Sequence, residues 1–275
     1  MIKNIKSLYF IQIVFNFLEE KKKLKILKYT KTLQETININ LIKYKEFSGR
    51  YISYISKGKG REYTDFFDDL IFEGEYLNGE RNGKGVEYYI NGELRFEGEY
   101  LNGKKHRKGK EYYYNKKLIY EGDYLNGERH GKGKEYYYIG NIQFEGDFLK
   151  GKKWDGKIYD TNGNIISEIK DGKGFIKEYN IFGYLIYEGE YLNGERNGKG
   201  KEYFKKDLIY EGEYLNGKKW NGKIYGNYNG RTYNIENGKG YIIEYDELFG
   251  NIIFEGEYLN GERNGIGREY SGFGK

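Results

Sequence analysis

The sequence predicts an all-β repeat array, an elongated and twisted antiparallel sheet of tandem hairpins behind a short α-helical N-terminal segment. Three observations predict it. The stretch Phe72–Gly85, FEGEYLNGERNGKG, returns at Phe96, Tyr120, Phe144, Tyr187, Tyr210 and Phe254. Such self-similarity at a fixed period marks repeat architectures. Turn signals recur near every twelve residues, between runs in which aromatic residues alternate at period two. Glycine numbers 41 in 275 residues, about twice the ordinary ~7%.

Residues 1–46 stand apart from the repeats. The run 7–18, SLYFIQIVFNFL, is nearly all apolar, and the basic stretch EEKKKLKILKYTKTLQ follows it. Two short helices are the simplest reading, forming a cap over the first edge of the sheet, because an open edge invites aggregation. The run is shorter than the ~20 residues needed to span a membrane. With Lys3 and Lys6 ahead of it the run mimics a secretory signal, yet no small-residue cleavage site follows. The pattern of residues 5–34 also resembles an F-box helical hairpin, without the usual Leu-Pro start. That resemblance implies a substrate adaptor for a ubiquitin ligase.

Residues 47–275 form the array. The first repeats start 24 residues apart, and Tyr187 to Tyr210 is 23. A weaker copy starts at Phe47, with Gly58-Lys59-Gly60 at the offset of Gly83-Lys84-Gly85. Two shortened copies, 165–179 and 233–245, keep Gly-Lys-Gly and lose the Leu-Asn-Gly-Glu-Arg turn. The reading is ten units, eight near full length and two truncated.

Each full unit reads as two strands. Asn-Gly, as at Asn78-Gly79, suits a tight hairpin turn because both residues tolerate positive φ. Helix is unfavourable, since each interior Gly would cost ~1 kcal/mol. Alternation puts Phe72, Gly74 and Tyr76 on one face and Glu73, Glu75 and Leu77 on the other. A glycine column beside aromatic columns lets rings lie across bare backbone. The acidic EGE strand beside the basic GKGK strand predicts cross-strand ion pairs that also fix register.

Composition narrows the function. Cysteine, proline and alanine are absent, so disulfides and thiolate metal sites are excluded. Lys, Asn, Ile, Tyr and Phe share A/T-rich codons, which points to an AT-rich genome; glycine does not fit that explanation. The formal charge is +5, and residues 1–46 hold ten Lys against four Glu. The array itself is therefore near neutral, which argues against nucleic acid as a partner.

The repeated aromatic-x-Gly-x-aromatic, Asn-Gly and Gly-x-Gly pattern over residues 47–275 resembles the MORN repeat. The resemblance implies β-hairpin units stacked into elongated sheets. It also implies roles as scaffolds, dimerisers or membrane-recognition modules. Tyr usually stands here where that family often has Trp.

Other motifs have plainer readings. Gly151–Ile158 nearly matches a phosphate-binding loop, but Ile158 stands where Ser or Thr must hold Mg²⁺, and sheet continues after it. His106 and His130 fill one repeat position and read as turn residues, with no third ligand for a metal. Glu73 and Glu75 recur in register in every unit, whereas a catalytic pair needs one distinctive environment. Trp154 and Trp220, each in KKW[DN]GKIY before a truncated unit, have two readings: rings filling the space of the missing turn, or exposed binding anchors.

The expected function is a non-enzymatic protein-interaction scaffold without cofactor or metal, located in the cytoplasm or at a membrane surface. Candidate partner-binding residues are Trp154, Trp220, Tyr76, Tyr100, Tyr124, Tyr191, Tyr214 and Tyr258. The alternative is a peripheral tether for anionic phospholipid such as phosphoinositide, held through the basic N-terminal helix by Lys21, Lys22, Lys23, Lys25 and Lys28 at ~1 kcal/mol each, through the repeats, or through both. A second copy could also pair with the C-terminal edge strand, Gly265–Tyr270, as a homodimer.

Overall fold

A computed structural model describes residues 50–64, 68–226, 230, 232–246 and 251–270. The expected helical cap, the F-box-like stretch and the five candidate lipid-binding lysines lie outside the described residues. Among the described residues there are twenty strands and no helix. The chain divides into two compact units at Lys116 and Lys117.

In the first unit β1 (Arg50–Ser56), β2 (Lys59–Thr64), β3 (Leu70–Leu77), β4 (Glu80–Tyr88), β5 (Leu94–Leu101) and β6 (Lys104–Tyr112) pair antiparallel in chain order. The second unit opens with β7 (Leu118–Leu125), β8 (Glu128–Tyr136), β9 (Ile142–Leu149), β10 (Lys152–Tyr159) and β11 (Ile165–Ile169). It continues through β12 (Gly174–Tyr179), β13 (Leu185–Leu192), β14 (Glu195–Phe204), β15 (Asp207–Leu215) and β16 (Lys218–Tyr225). It closes with β17 (Thr232–Glu236), β18 (Lys239–Tyr245), β19 (Ile252–Leu259) and β20 (Glu262–Glu269). Within this unit each strand pairs with its chain neighbour, except that β11 and β12 share only a single bridge, Lys170 to Lys173. All eight residues of β20 are exposed.

The turns follow from the sequence. Asn78 and Gly79 hold φ of 50° and 74°, the two positive values of a type I′ turn, and the pairs at 102–103, 193–194, 216–217 and 260–261 repeat it. Lys150 and Asp171 take the asparagine position at φ 50°.

The core is one layer of rings laid on glycine. Phe72, Phe96, Tyr120, Phe144, Tyr187 and Tyr210 are fully buried. A Cβ on Gly85 would fall 2.3 Å from the tip of the Phe72 ring, so this glycine is required for space and not for its φ. The next aromatic column packs edge-on against the first: Phe72 meets Tyr100 at 5.2 Å and 88°, and Tyr187 meets Tyr214 at 5.4 Å and 87°. Such contacts add ~0.5–1.5 kcal/mol each beyond area burial.

The first hairpin differs from its sequence reading. Register sets Ile52 opposite Glu62 and Tyr54 opposite Gly60, as Phe72 faces Glu87 and Gly74 faces Gly85. Lys57-Gly58 is therefore the turn itself, directly before Lys59-Gly60, just as Asp171-Gly172 precedes Lys173-Gly174. Its turn has the short form seen in the β11–β12 and β17–β18 hairpins. Tyr54 stands opposite Gly60, where the full units place glycine opposite glycine.

One full unit carries a local strain. Arg107 sits at φ 54° where Gly83, Gly131, Gly198 and Gly265 hold 98°, 75°, 88° and 86°. Its contact with Glu99 is 3.6 Å with the Arg107 side chain 74% exposed, and so contributes little. Arg107→Gly should stabilise the protein by about 0.5–1 kcal/mol, relief of left-handed strain less the entropy cost of glycine. A urea midpoint at or below the parent's would refute this.

Candidate functional site

The face that carries the rings also carries a ladder of alternating charges. Arg81 lies 4.1 Å over the Phe72 ring. Its guanidinium donates to Glu62 of the preceding unit at 2.9 Å and to Glu87 of its own at 2.7 Å. Lys105 stands 4.0 Å over Phe96 and reaches Glu111 at 2.7 Å and Glu87 at 3.9 Å. In the second unit Arg196 lies 4.3 Å over Tyr187 between Glu178 at 2.8 Å and Glu202 at 2.7 Å, and Lys219 meets Glu202 at 2.6 Å. Arg263 repeats the arrangement over Phe254 between Glu244 and Glu269. Each cation thus covers its own ring and ties its hairpin to the one before.

This geometry sets the titration of the ladder. Burial pushes Glu178 up, but the Arg196 hydrogen bond and charge outweigh it, and its carboxyl is held below the ordinary value. Glu202 is raised by burial and lowered more by Lys219 and Arg196. Burial chiefly, and Glu178 next, drives the Tyr191 hydroxyl well above its ordinary value. The opposite face carries the expected strand-to-strand pairs, with Arg61 to Glu73 at 2.9 Å, Lys134 to Glu145 at 2.9 Å and Lys201 to Glu211 at 3.2 Å.

The candidate residues fall into two groups. Tyr76, Tyr100, Tyr124 and Tyr214 are buried, and Tyr191 and Tyr258 half-buried, in the ring layer. All six pack edge-on against neighbouring rings, and the four buried ones present almost no ring surface to solvent. Trp154 and Trp220 are half-buried and pack on the turns of the shortened hairpins. A Cβ on Gly172 would fall 2.8 Å from the Trp154 ring, and one on Gly238 2.7 Å from the Trp220 ring. Asp155 and Asn221 cap the same turns, accepting from Asp171 N at 3.0 Å and Asn237 N at 2.8 Å. The space-filling reading of the tryptophans is the one this packing supports. His130 lies 3.5 Å from the Lys150 backbone nitrogen, beside the next turn.

The ladder face opens into a hollow in the first unit that sequence reasoning missed. It holds about 950 Å³ and is lined by Arg50, Arg81, Arg95, Tyr89, Ile90 and Tyr114, among others. Ile90 is 74% and Tyr114 63% exposed. Tyr89 stacks on Tyr114 with ring centres 4.0 Å apart, and its hydroxyl donates to Tyr112 O at 2.7 Å. Arg95 stands 5.9 Å from the Tyr89 ring. The immediately preceding position in the other full units is Ile71, Ile119, Ile186, Ile209 and Ile253, with Gln143 the other exception. Arg95 and Gln143 are therefore the departures that mark special places. Gln143 donates to Tyr179 O at 2.7 Å across the first shortened hairpin of the second unit. Ile209 stands in that place at the second such hairpin, and a groove of about 330 Å³ lined by Ile186, Ile209, Ile243 and Ile253 opens there.

The comparisons with known proteins agree with the repeat. The family described as MORN repeat matches residues 72–93, 96–117, 120–142, 187–207, 210–220 and 254–272. The F-box-like resemblance finds no support. No curated protein matches the chain. Among solved structures, one of a mutant of S. aureus TarM in complex with fondaparinux, α-GlcNAc-glycerol and UDP is 14% identical, over 65% of this chain and 26% of that one, with a TM-score of 0.22. The chain thus spans about a quarter of that protein, and a likeness this low carries no argument.

Proposed function

From a chain that carries MORN repeats across residues 72–272, in general protein- and membrane-interaction motifs, we propose a non-enzymatic scaffold that captures a protein partner on its ladder face. The observation that carries this reading is the hollow at Arg95, Tyr89, Ile90 and Tyr114. Tyr and Arg are the residue types that dominate binding hot spots. Arg95 is exposed and stands over the Tyr89 ring, with no carboxylate paired to it among the described residues, which leaves its charge for an incoming group. The remaining carboxylates of that face are tied to cations in the same way unit after unit. That supports a structural role for them over acid–base chemistry.

Full-length protein and the variant Arg95→Glu with Tyr114→Ala should be compared as baits in lysate of the source organism. Both substitutions are on the rim of the hollow and should leave the β-sheet circular dichroism unchanged. Recovery of the partner should fall at least about tenfold, as expected for two contacts of ~1 kcal/mol or more each. Equal recovery by the variant moves the site elsewhere. Co-sedimentation of the parent with anionic vesicles, in the absence of any retained protein, replaces the scaffold with a membrane tether.

A further inference from the structure

Spontaneous deamidation of Asn-Gly begins when the glycine amide nitrogen attacks the asparagine side chain, and the hairpin turns differ in how they hold that amide. Gly103 N donates to Arg81 O, Gly217 N to Arg196 O, Gly194 N to Gly172 O and Gly261 N to Gly238 O, all at 2.9 Å, and Gly238 N donates to Trp220 O at 2.8 Å. Each bond ties a turn to the hairpin before it and retains the amide proton. Among the described residues the turns at Asn78-Gly79 and Asn126-Gly127 lack this bond, and the first of them also stands beside a shortened hairpin. Gly58, at the turn of the shortened first hairpin, occupies the place that Gly172 and Gly238 hold in the others. Its carbonyl accepts from Tyr76 N at 2.7 Å, and among the described residues Gly79 N makes no bond to it. Gly79 also lines an open hollow of about 340 Å³ together with Arg81 and Lys104. Water reaches the turn there, and the nearby positive charge favours an amide anion.

We propose that Asn78 is a deamidation site, converting well ahead of Asn193 and Asn260. Local sequence cannot separate these three, because each lies in the same tetrapeptide, Leu-Asn-Gly-Glu, which stands at 77–80, 125–128, 192–195 and 259–262. The Gly79 nitrogen gives its proton to solvent and attacks Asn78 Cγ. The new C–N bond closes a succinimide, and the Cγ–Nδ2 bond breaks as ammonia leaves with a proton from water. Water then opens the ring at either carbonyl to give aspartate or isoaspartate. The net change is asparagine plus water to an acid plus ammonia, with no redox step. Isoaspartate adds a methylene to a two-residue turn and so loosens the β3–β4 hairpin, on the rim of a hollow that already holds Arg50 and Arg81.

The test incubates full-length folded protein at mildly alkaline pH and follows each peptide by mass spectrometry, with a parallel sample in strong denaturant. In the folded sample Asn78 should convert roughly fivefold faster than Asn193 and Asn260, the rate factor of one net hydrogen bond. In denaturant the three rates should coincide. Equal rates in the folded protein overturn the proposal, and so does an Asn78 lead that persists undiminished in denaturant, which would place the cause in sequence.

Discussion

Arg196→Ala should destabilise the protein by about 3 kcal/mol, the low end of the range for breaking a buried ion pair. The low end applies because the Arg196 side chain keeps 22% of its surface exposed. Two arms of the guanidinium reach Glu178, at 2.8 and 2.9 Å, and the third reaches Glu202 at 2.7 Å. Its flat face covers the Tyr187 ring. Truncation leaves Glu178 with the Tyr191 hydroxyl and no cation bonded to it, while Glu202 keeps Lys219. The folded carboxyls of Glu178 and Glu202 sit below their ordinary value of 4.5. Their contribution is therefore present above that pH and is lost as pH falls through the folded values. The parent should weaken on acidification below about 4.5, and the variant should weaken less over the same range because its Glu178 is no longer depressed. Arg196→Lys should recover part of the loss, since it keeps the charge and gives up the forked geometry. Urea midpoints read at neutral pH and near pH 4 decide it. A neutral-pH midpoint equal to the parent's would show that the ladder contributes nothing to stability.

The hairpins were legible in the sequence because their causes are local. Asn78-Gly79 needs only two positive φ values, and the alternation of Phe72, Gly74 and Tyr76 needs only the pleat. The same reading placed Tyr76 and Tyr100 on the correct face but did not show that this face is filled by the next unit's rings. The ladder was hidden because it depends on register between units. Arg81 and Glu62 are 19 residues apart, in different hairpins, and Arg81 looked like a turn residue after Asn-Gly. The first hairpin was misaligned for a related reason, since Gly-Lys-Gly follows the turn at once in a shortened unit and a full strand later in a long one. The hollow did leave a trace in the sequence. Arg95 breaks a column otherwise filled by isoleucine, but only the fold shows that this column opens beside Tyr89 and Tyr114.

Gly122→Val tests the ring-on-glycine layer, which the whole array relies upon. Gly122 needs no positive φ, so backbone strain plays no part in the expected loss. The obstacle is space. A Cβ at Gly122 would lie 2.4 Å from the Tyr120 hydroxyl, 2.6 Å from Gly133 Cα and 2.6 Å from Lys132 O. The hydroxyl could swing aside at the cost of its 3.1 Å bond to Asp123 O. Gly133 and Lys132 cannot, because they belong to the backbone of β8, which pairs with β7 through Gly122 and Gly133 themselves. Relief therefore requires the two strands to part where they are in closest register. The expected cost is about 3 kcal/mol, at the upper end for overpacking. Gly122→Ala already introduces the offending Cβ and should incur most of it, with valine adding the remainder through its two methyl groups. The signature is thus a steep first step and a shallow second one in urea or thermal midpoint. A valine variant that melts with the parent would mean that the Tyr120 ring and the β7–β8 pairing are looser than this geometry, and the ring-on-glycine account of the fold would have to be abandoned.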